Sequence, residues 1–131
     1  MRVIVCGGRD FEKRKTLYDV LDAMHAETPI TFLAEGGEPN GADRMAGDWA
    51  ILKGIEHKTY RANWDAFGLS AGPRRNSYML AHARPDRVVA FPTYDKSGTP
   101  SRGTADMMRK ARVAGVRVDK VSAWGLVEMQ K

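Results

Sequence analysis

The chain has 131 residues, enough for one domain, and its 43% hydrophobic content is ample for a single core. A net charge of +5 favours anionic partners, from a nucleotide to a nucleic acid, without choosing between them. One cysteine excludes an intrachain disulfide, no apolar stretch is long enough to span a membrane, and Met1–Gly7 lacks the long apolar region of a signal peptide, so a cytoplasmic protein with no membrane partner is expected.

Short β-rich runs alternate with helical stretches. Arg2–Cys6 is strand-like, and Cys6 at its end fits buried packing. The turn Gly7-Gly8-Arg9-Asp10 follows, then a helix over Phe11–Ala26 with Leu17, Val20, Leu21 and Met24 at helical spacing and Asp10 as its N-cap. Pro29 separates this helix from a strand over Ile30–Ala34. A second glycine turn, Gly36-Gly37 running on to Gly41-Ala42-Asp43, opens a helix over Ala42–Lys53 that Gly54 stops. A more polar strand is expected over Glu56–Tyr60, then a looser segment, Arg61–Pro73, with Trp64 and Phe67.

Helix resumes at Arg74–Ala83, and Pro85-Asp86 precedes the strand Arg87–Phe91. The polar stretch Pro92–Arg102 is long for such a connection, which marks it as a loop of functional interest, with a lid as one use. Thr104–Ala114 is helical, Gly115 ends it, and Val116–Val121 supplies a fifth strand. The domain is thus expected over 1–121, with 122–131 as an extra strand or an edge-covering tail. Strands joined by helices of this length favour right-handed crossovers, so the fold class is α/β: a Rossmann-like, doubly wound domain with a mostly parallel five-stranded sheet. Ligands of such sheets lie beyond the carboxyl ends of the strands, where all four glycine-containing turns fall.

Neither a Gly-x-Gly-x-x-Gly fingerprint nor a phosphate-loop motif is present. Gly7 and Gly8 either let a backbone approach a ligand or simply permit a tight turn, and Arg9 beside them suits phosphate or carboxylate. Gly36, Gly37, Gly41 and Ala42 allow a helix to start close to a bound group. Asp43 suits either the helix dipole or a ribose hydroxyl. Arg74 and Arg75, at an expected helix start, oppose the dipole at a cost of about half a kcal/mol each, a conflict that a bound anion would relieve. Asn76 is a second candidate for ribose. Met79 fits core or ligand contact, and Trp64 and Phe67 fit base stacking or a packed lid. Arg102, Gly103 and Thr104 form the last anion-suited helix start. His25, His57 and His82 lack metal-ligand spacing and are expected at the surface, and no metal or other cofactor is expected.

The ordered set Val3–Phe11, Glu35-Gly36-Gly37 with Gly41-Ala42-Asp43, Trp49-Ala50, Trp64, Ala71-Gly72-Pro73 with Arg75-Asn76 and Met79, Pro85-Asp86, Ala90-Phe91 and Gly103–Met107 resembles the YspA-type, YpsA-related branch of the SLOG superfamily. These are Rossmann-like proteins grouped with the DNA-processing protein DprA and the cytokinin-activating LOG enzymes. The resemblance implies a nucleotide or nucleotide-derived ligand at the glycine-rich crevice, held as a sensor or sequestering module. Relatives commonly self-associate, so a homo-oligomer is a further implied partner. The enzymatic relatives carry Pro-Gly-Gly-x-Gly-Thr-x-x-Glu and release a base from a nucleoside monophosphate. Here Gly103-Thr104 is retained, but the glutamate position is Met107, which cannot handle a proton. A phosphoribohydrolase would therefore have to use Asp106, Asp43 or Asp10 as its catalytic acid. Nucleic-acid binding is the remaining alternative, resting on the basic charge.

Overall fold

The computed structural model describes residues 1–130 and contains a six-stranded sheet in the order β3-β2-β1-β4-β5-β6. The strands are β1 (Arg2–Gly7), β2 (Phe32–Glu35), β3 (Glu56–Thr59), β4 (Arg87–Phe91), β5 (Arg117–Val121) and β6 (Val127–Gln130). β1 to β5 are parallel, whereas β6 runs antiparallel to β5, with Asp119 opposite Met129. The expected five-stranded sheet thus gains an edge strand, and the tail extends the same sheet.

Helices cover both faces. α1 (Arg14–Glu27) and α2 (Ala42–Lys53) lie on one side and enclose Val3, Val5, Leu33, Val89 and Phe91 around the fully buried Trp49. α4 (Ala71–Ala83) and α5 (Arg102–Val113) cover Ile4, Cys6, Ala34, Val88 and Ala90 on the other. The alternating side chains of β1 are therefore apolar throughout, the pattern of a parallel strand buried on both faces. The Trp49 indole N–H donates to Asp22 Oδ1 at 2.9 Å, which ties α2 to α1. Gly54 adopts the left-handed conformation (φ 68°) that caps α2.

Several boundaries depart from the expected ones. α1 starts at Arg14 rather than Phe11, and its N-cap position is Lys13, not Asp10. Phe11 is drawn into the core, its ring 5.4 Å from that of Phe91, which holds the chain off a helical path. The segment expected to be loose forms a single-turn helix, α3 (Trp64–Phe67), and a 3-10 turn (Gly68–Ser70). α4 then begins at Ala71, with Pro73 as its third residue, a position whose N–H has no helical acceptor in any case. Arg74 and Arg75 consequently lie past the first turn, so the expected conflict with the helix dipole does not arise. α5 begins at Arg102, which places Gly103-Thr104 inside its first turn.

Candidate functional site

β1, β2 and β3 fill one half of the sheet in order, and the chain then crosses to β4 on the other side of β1. The topological switch point lies between β1 and β4, and loops leaving adjacent carboxyl ends must diverge there. A cleft of about 440 Å³ opens at that place. Its floor is Val5, Cys6 and Gly7 at the end of β1. Arg9, Gly36 and Asp43 border one side, and Arg75, Asn76 and Met79 of α4 another. Arg102, Gly103 and Thr104 at the start of α5 close it, and Trp64 stands at the rim, half exposed. These eleven candidates named above, Gly7 among them, are brought together although up to 97 positions separate them in sequence.

The other candidates have different surroundings. Gly8 lies behind the wall, where an added Cβ would sit 2.7 Å from Thr93 Cβ. Gly41 caps α2 at φ 81°, and its added Cβ would meet Arg9 Cα at 2.5 Å. Ala42 is buried against Gly7. The Gly37 N–H donates to Glu35 Oε1 at 2.6 Å and so fixes the turn after β2. Asp10 is exposed and off the cleft wall. Asp106 is also off the wall and accepts from Asn76, Arg109 and Lys110 at 2.9–3.1 Å. Burial pushes the Asp106 carboxyl up, but Lys110, Asn76 and Arg109 together hold it below its usual range.

Arg75 is held in place by the protein. Its Nε donates to Asn76 Oδ1 at 2.9 Å, and Nη1 donates to the carbonyls of Gly36 and Tyr60. Asn76 in turn donates to the Gly103 carbonyl at 3.1 Å, linking α4 to the start of α5. Arg9 and Arg102 differ: both are exposed on the cleft, and neither side chain has a hydrogen bond or ion pair among the described residues. At α5 the ladder starts with Ala105 N–H donating to the Ser101 carbonyl at 3.0 Å, so the N–H groups of Arg102, Gly103 and Thr104 precede it.

Two acids lie deeper. Asp43 is 6% exposed, and its Oδ2 accepts the Glu38 N–H at 3.2 Å. Burial pushes its carboxyl up to about 7, the Glu38 N–H opposes this, and the Glu35 charge adds to it. Near neutral pH this group therefore exists in both forms and can donate to or accept from a hydroxyl. Glu35, at the end of β2, is buried and accepts from Thr59 Oγ1 at 2.6 Å and bonds His57 Nε2 at 2.7 Å. His57, expected at the surface, is instead half-buried in this cluster. The thiol of Cys6, on the floor, is pushed far up by burial and by Asp43, so it is a packing group rather than a nucleophile. Glu38, Leu69 and Ser101 also face the cleft and are not among the expected residues; Glu38 lies within the second glycine turn, whereas Leu69 and Ser101 lie outside all four turns.

The family model for the YspA, cpYpsA-related SLOG family matches residues 1–67. A Mycobacterium phage D29 protein, the Gene 61 protein, is 33% identical over 123 residues, covering 89% of this chain and 93% of the relative. The chain belongs to the YspA, cpYpsA-related SLOG family. Among solved structures, the DNA processing protein A (DprA) of Streptococcus pneumoniae superposes with a TM-score of 0.68 at 17% identity. That match covers 93% of this chain and 50% of DprA, so the chain spans half the length of that protein and shares its fold over that half. SLOG membership associates the chain with nucleotide- or nucleic-acid-related function at the coarse level. No helix among the described residues is long and apolar enough to cross a membrane.

Proposed function

We propose that the cleft binds a nucleotide or nucleotide-derived small molecule through its phosphate, as a sensor or sequestering module. The observation that carries this reading is the pair of arginines, Arg9 and Arg102, that face the cleft beside the α5 N-terminus with no protein acceptor among the described residues. Planar guanidinium groups left without a carboxylate suit a multi-oxygen anion such as phosphate, to which each can donate two parallel hydrogen bonds. Gly103 supports the same reading. An added Cβ there would meet nothing within 4 Å, so packing does not require glycine, and alanine would suit the helix better. Close approach of a ligand to the backbone supplies the missing reason. Asp43 then suits a ribose hydroxyl, and Trp64 at the rim suits a base.

Two observations weigh against hydrolysis by the route of the LOG enzymes. Met107, at the position of their glutamate, is fully buried in the core beneath α5. Asp106 next to it is tied up by two cations and Asn76. Of the three candidate acids, Asp43 alone lines the cleft, so a release assay on Asp43→Asn distinguishes binding from turnover.

The first test is melting temperature across a panel of nucleoside mono-, di- and triphosphates, cyclic nucleotides and ADP-ribose-type compounds. A ligand at a hundred times its Kd should stabilise the protein by about 2.7 kcal/mol. Arg102→Ala should leave the unliganded melting point unchanged and weaken binding by about 1.5–3 kcal/mol, the worth of a charged hydrogen bond. No shift with any compound refutes the proposal.

A further inference from the structure

A second cavity of about 440 Å³ adjoins the cleft beyond the carboxyl end of β3, and Arg75 lines both. Its wall carries Lys58, Arg61 and Arg74 together with the rings of Tyr60, Phe67 and Tyr78, and no carboxylate. Many basic side chains elsewhere are paired with an acid: Arg14 with Asp48, Lys53 with Asp22, Arg87 and Arg117 with Asp119, and Arg109 and Lys110 with Asp106. Lys58, Arg61 and Arg74 have no such partner among the described residues, although they share one concave surface. Like charges gathered without an acid are unfavourable unless an anion joins them.

Two of these rings are open to solvent. Phe67 and Tyr78 are 46% and 57% exposed, a large apolar area left to solvent at the mouth of a cavity. Arg74 lies 4.5 Å over the Phe67 ring, and Lys58 4.9 Å over Tyr60. Tyr78 is stacked on His82 at 5.2 Å with 11° between planes, and its ring lies 5.9 Å from that of Tyr60. Cations set beside the half-exposed rings of Phe67 and Tyr78 suit a phosphate-linked chain of bases, in which the phosphates meet the cations and the bases stack. The shared Arg75 places this surface next to the cleft, so one ligand can occupy both.

We infer that the second cavity takes the next unit of a phosphodiester-linked ligand whose first unit lies in the cleft: a linear dinucleotide or the end of a single strand. This rests on the reading of the cleft as a nucleotide site.

The test measures Kd for AMP, GMP, CMP and UMP, for the matching 5′-phosphorylated dinucleotides, and for 5′-phosphorylated dodecamers of the same bases. At least one dinucleotide should bind about tenfold more tightly than its mononucleotide, the gain expected of one stacked base and its phosphate. The double variant Lys58→Ala/Arg74→Ala, and separately Phe67→Ala, should remove that gain while leaving the mononucleotide Kd and the melting point unchanged. A dodecamer that matches the dinucleotide assigns the ligand to a strand end; one that binds less tightly assigns it to a free dinucleotide. Mononucleotide binding with no dinucleotide gain, or a gain that survives both variants, overturns the inference and leaves the cleft reading intact. Binding of neither class overturns both.

Discussion

The β1–α2 side of the cleft and its α5 side both present glycine, and for opposite reasons. On the first side the protein itself demands it. Gly8 faces Thr93, Gly7 faces Ala42 and Phe91, and Gly41 crosses over the Gly8-Arg9 backbone with φ 81°. Any side chain there meets another part of the chain. On the α5 side, Gly103 faces open space in a helix where alanine would be better accommodated. The glycines before α2 are thus architecture that brings three loops together, while packing gives no reason for the glycine of α5, which the proposed ligand would supply. A glycine motif alone does not separate these uses; the neighbouring atoms do.

The comparison is broken most severely at Gly41. Gly41→Ala combines a left-handed backbone with a close approach to Arg9, and about 3–5 kcal/mol of stability should be lost by urea unfolding. A loss below about 1 kcal/mol would show that the crossing relaxes easily and that glycine there has another purpose.

Asp43, between the two sides, should give an effect of opposite sign. Its carboxyl has a raised value of about 7 against an ordinary 3.8, so the folded state holds a proton that the unfolded chain has released. Stability must then fall as pH rises from about 4 to about 7 and level off above that. Asp43→Asn removes the cost of burying the charge and should stabilise the protein by about 2–4 kcal/mol at pH ~8, with almost no gain at pH ~4. The difference between the two unfolding curves across pH checks this, and a gain independent of pH would contradict it.

Gly103→Ala is the mildest change and the sharpest contrast. It should raise stability by about 0.5–1 kcal/mol through helix propensity, while weakening whichever nucleotide shifts the melting point. Greater stability with unaltered affinity would remove Gly103 from the ligand's path.

Much of this arrangement was legible in the residues. The apolar runs of β1 and β4 are buried on both faces, as their continuity implies, and Gly54 stops α2 where its position indicates. Gly7, Arg9, Gly36 and Asp43 are legible because their turns follow a strand and precede a helix. What escaped was set by tertiary contacts. Gly72-Pro73 has the composition of a turn, yet the pair lies in the first turn of α4, with the rim of Trp64 3.3 Å from where a Gly72 Cβ would be. β6 is largely exposed on both faces, so it has no alternation to betray it. The Glu35–His57 pair joins residues 22 positions apart, and only the parallel pairing of β2 with β3 brings them side by side. The helix-dipole conflict that the sequence suggests for Arg75 is absent, but the residue does lie in the cleft, where Gly36 and Tyr60 carbonyls fix it.

The most direct test of the central claim is an amide correlation NMR titration with the nucleotide that gives the largest melting shift. The account predicts saturable shifts at the amides of Gly7, Gly36, Gly103 and Thr104, with those of β6 and the C-terminal half of α5 unmoved. Saturable shifts confined to β6 or to the far end of α5, with the four cleft amides unmoved, would contradict it.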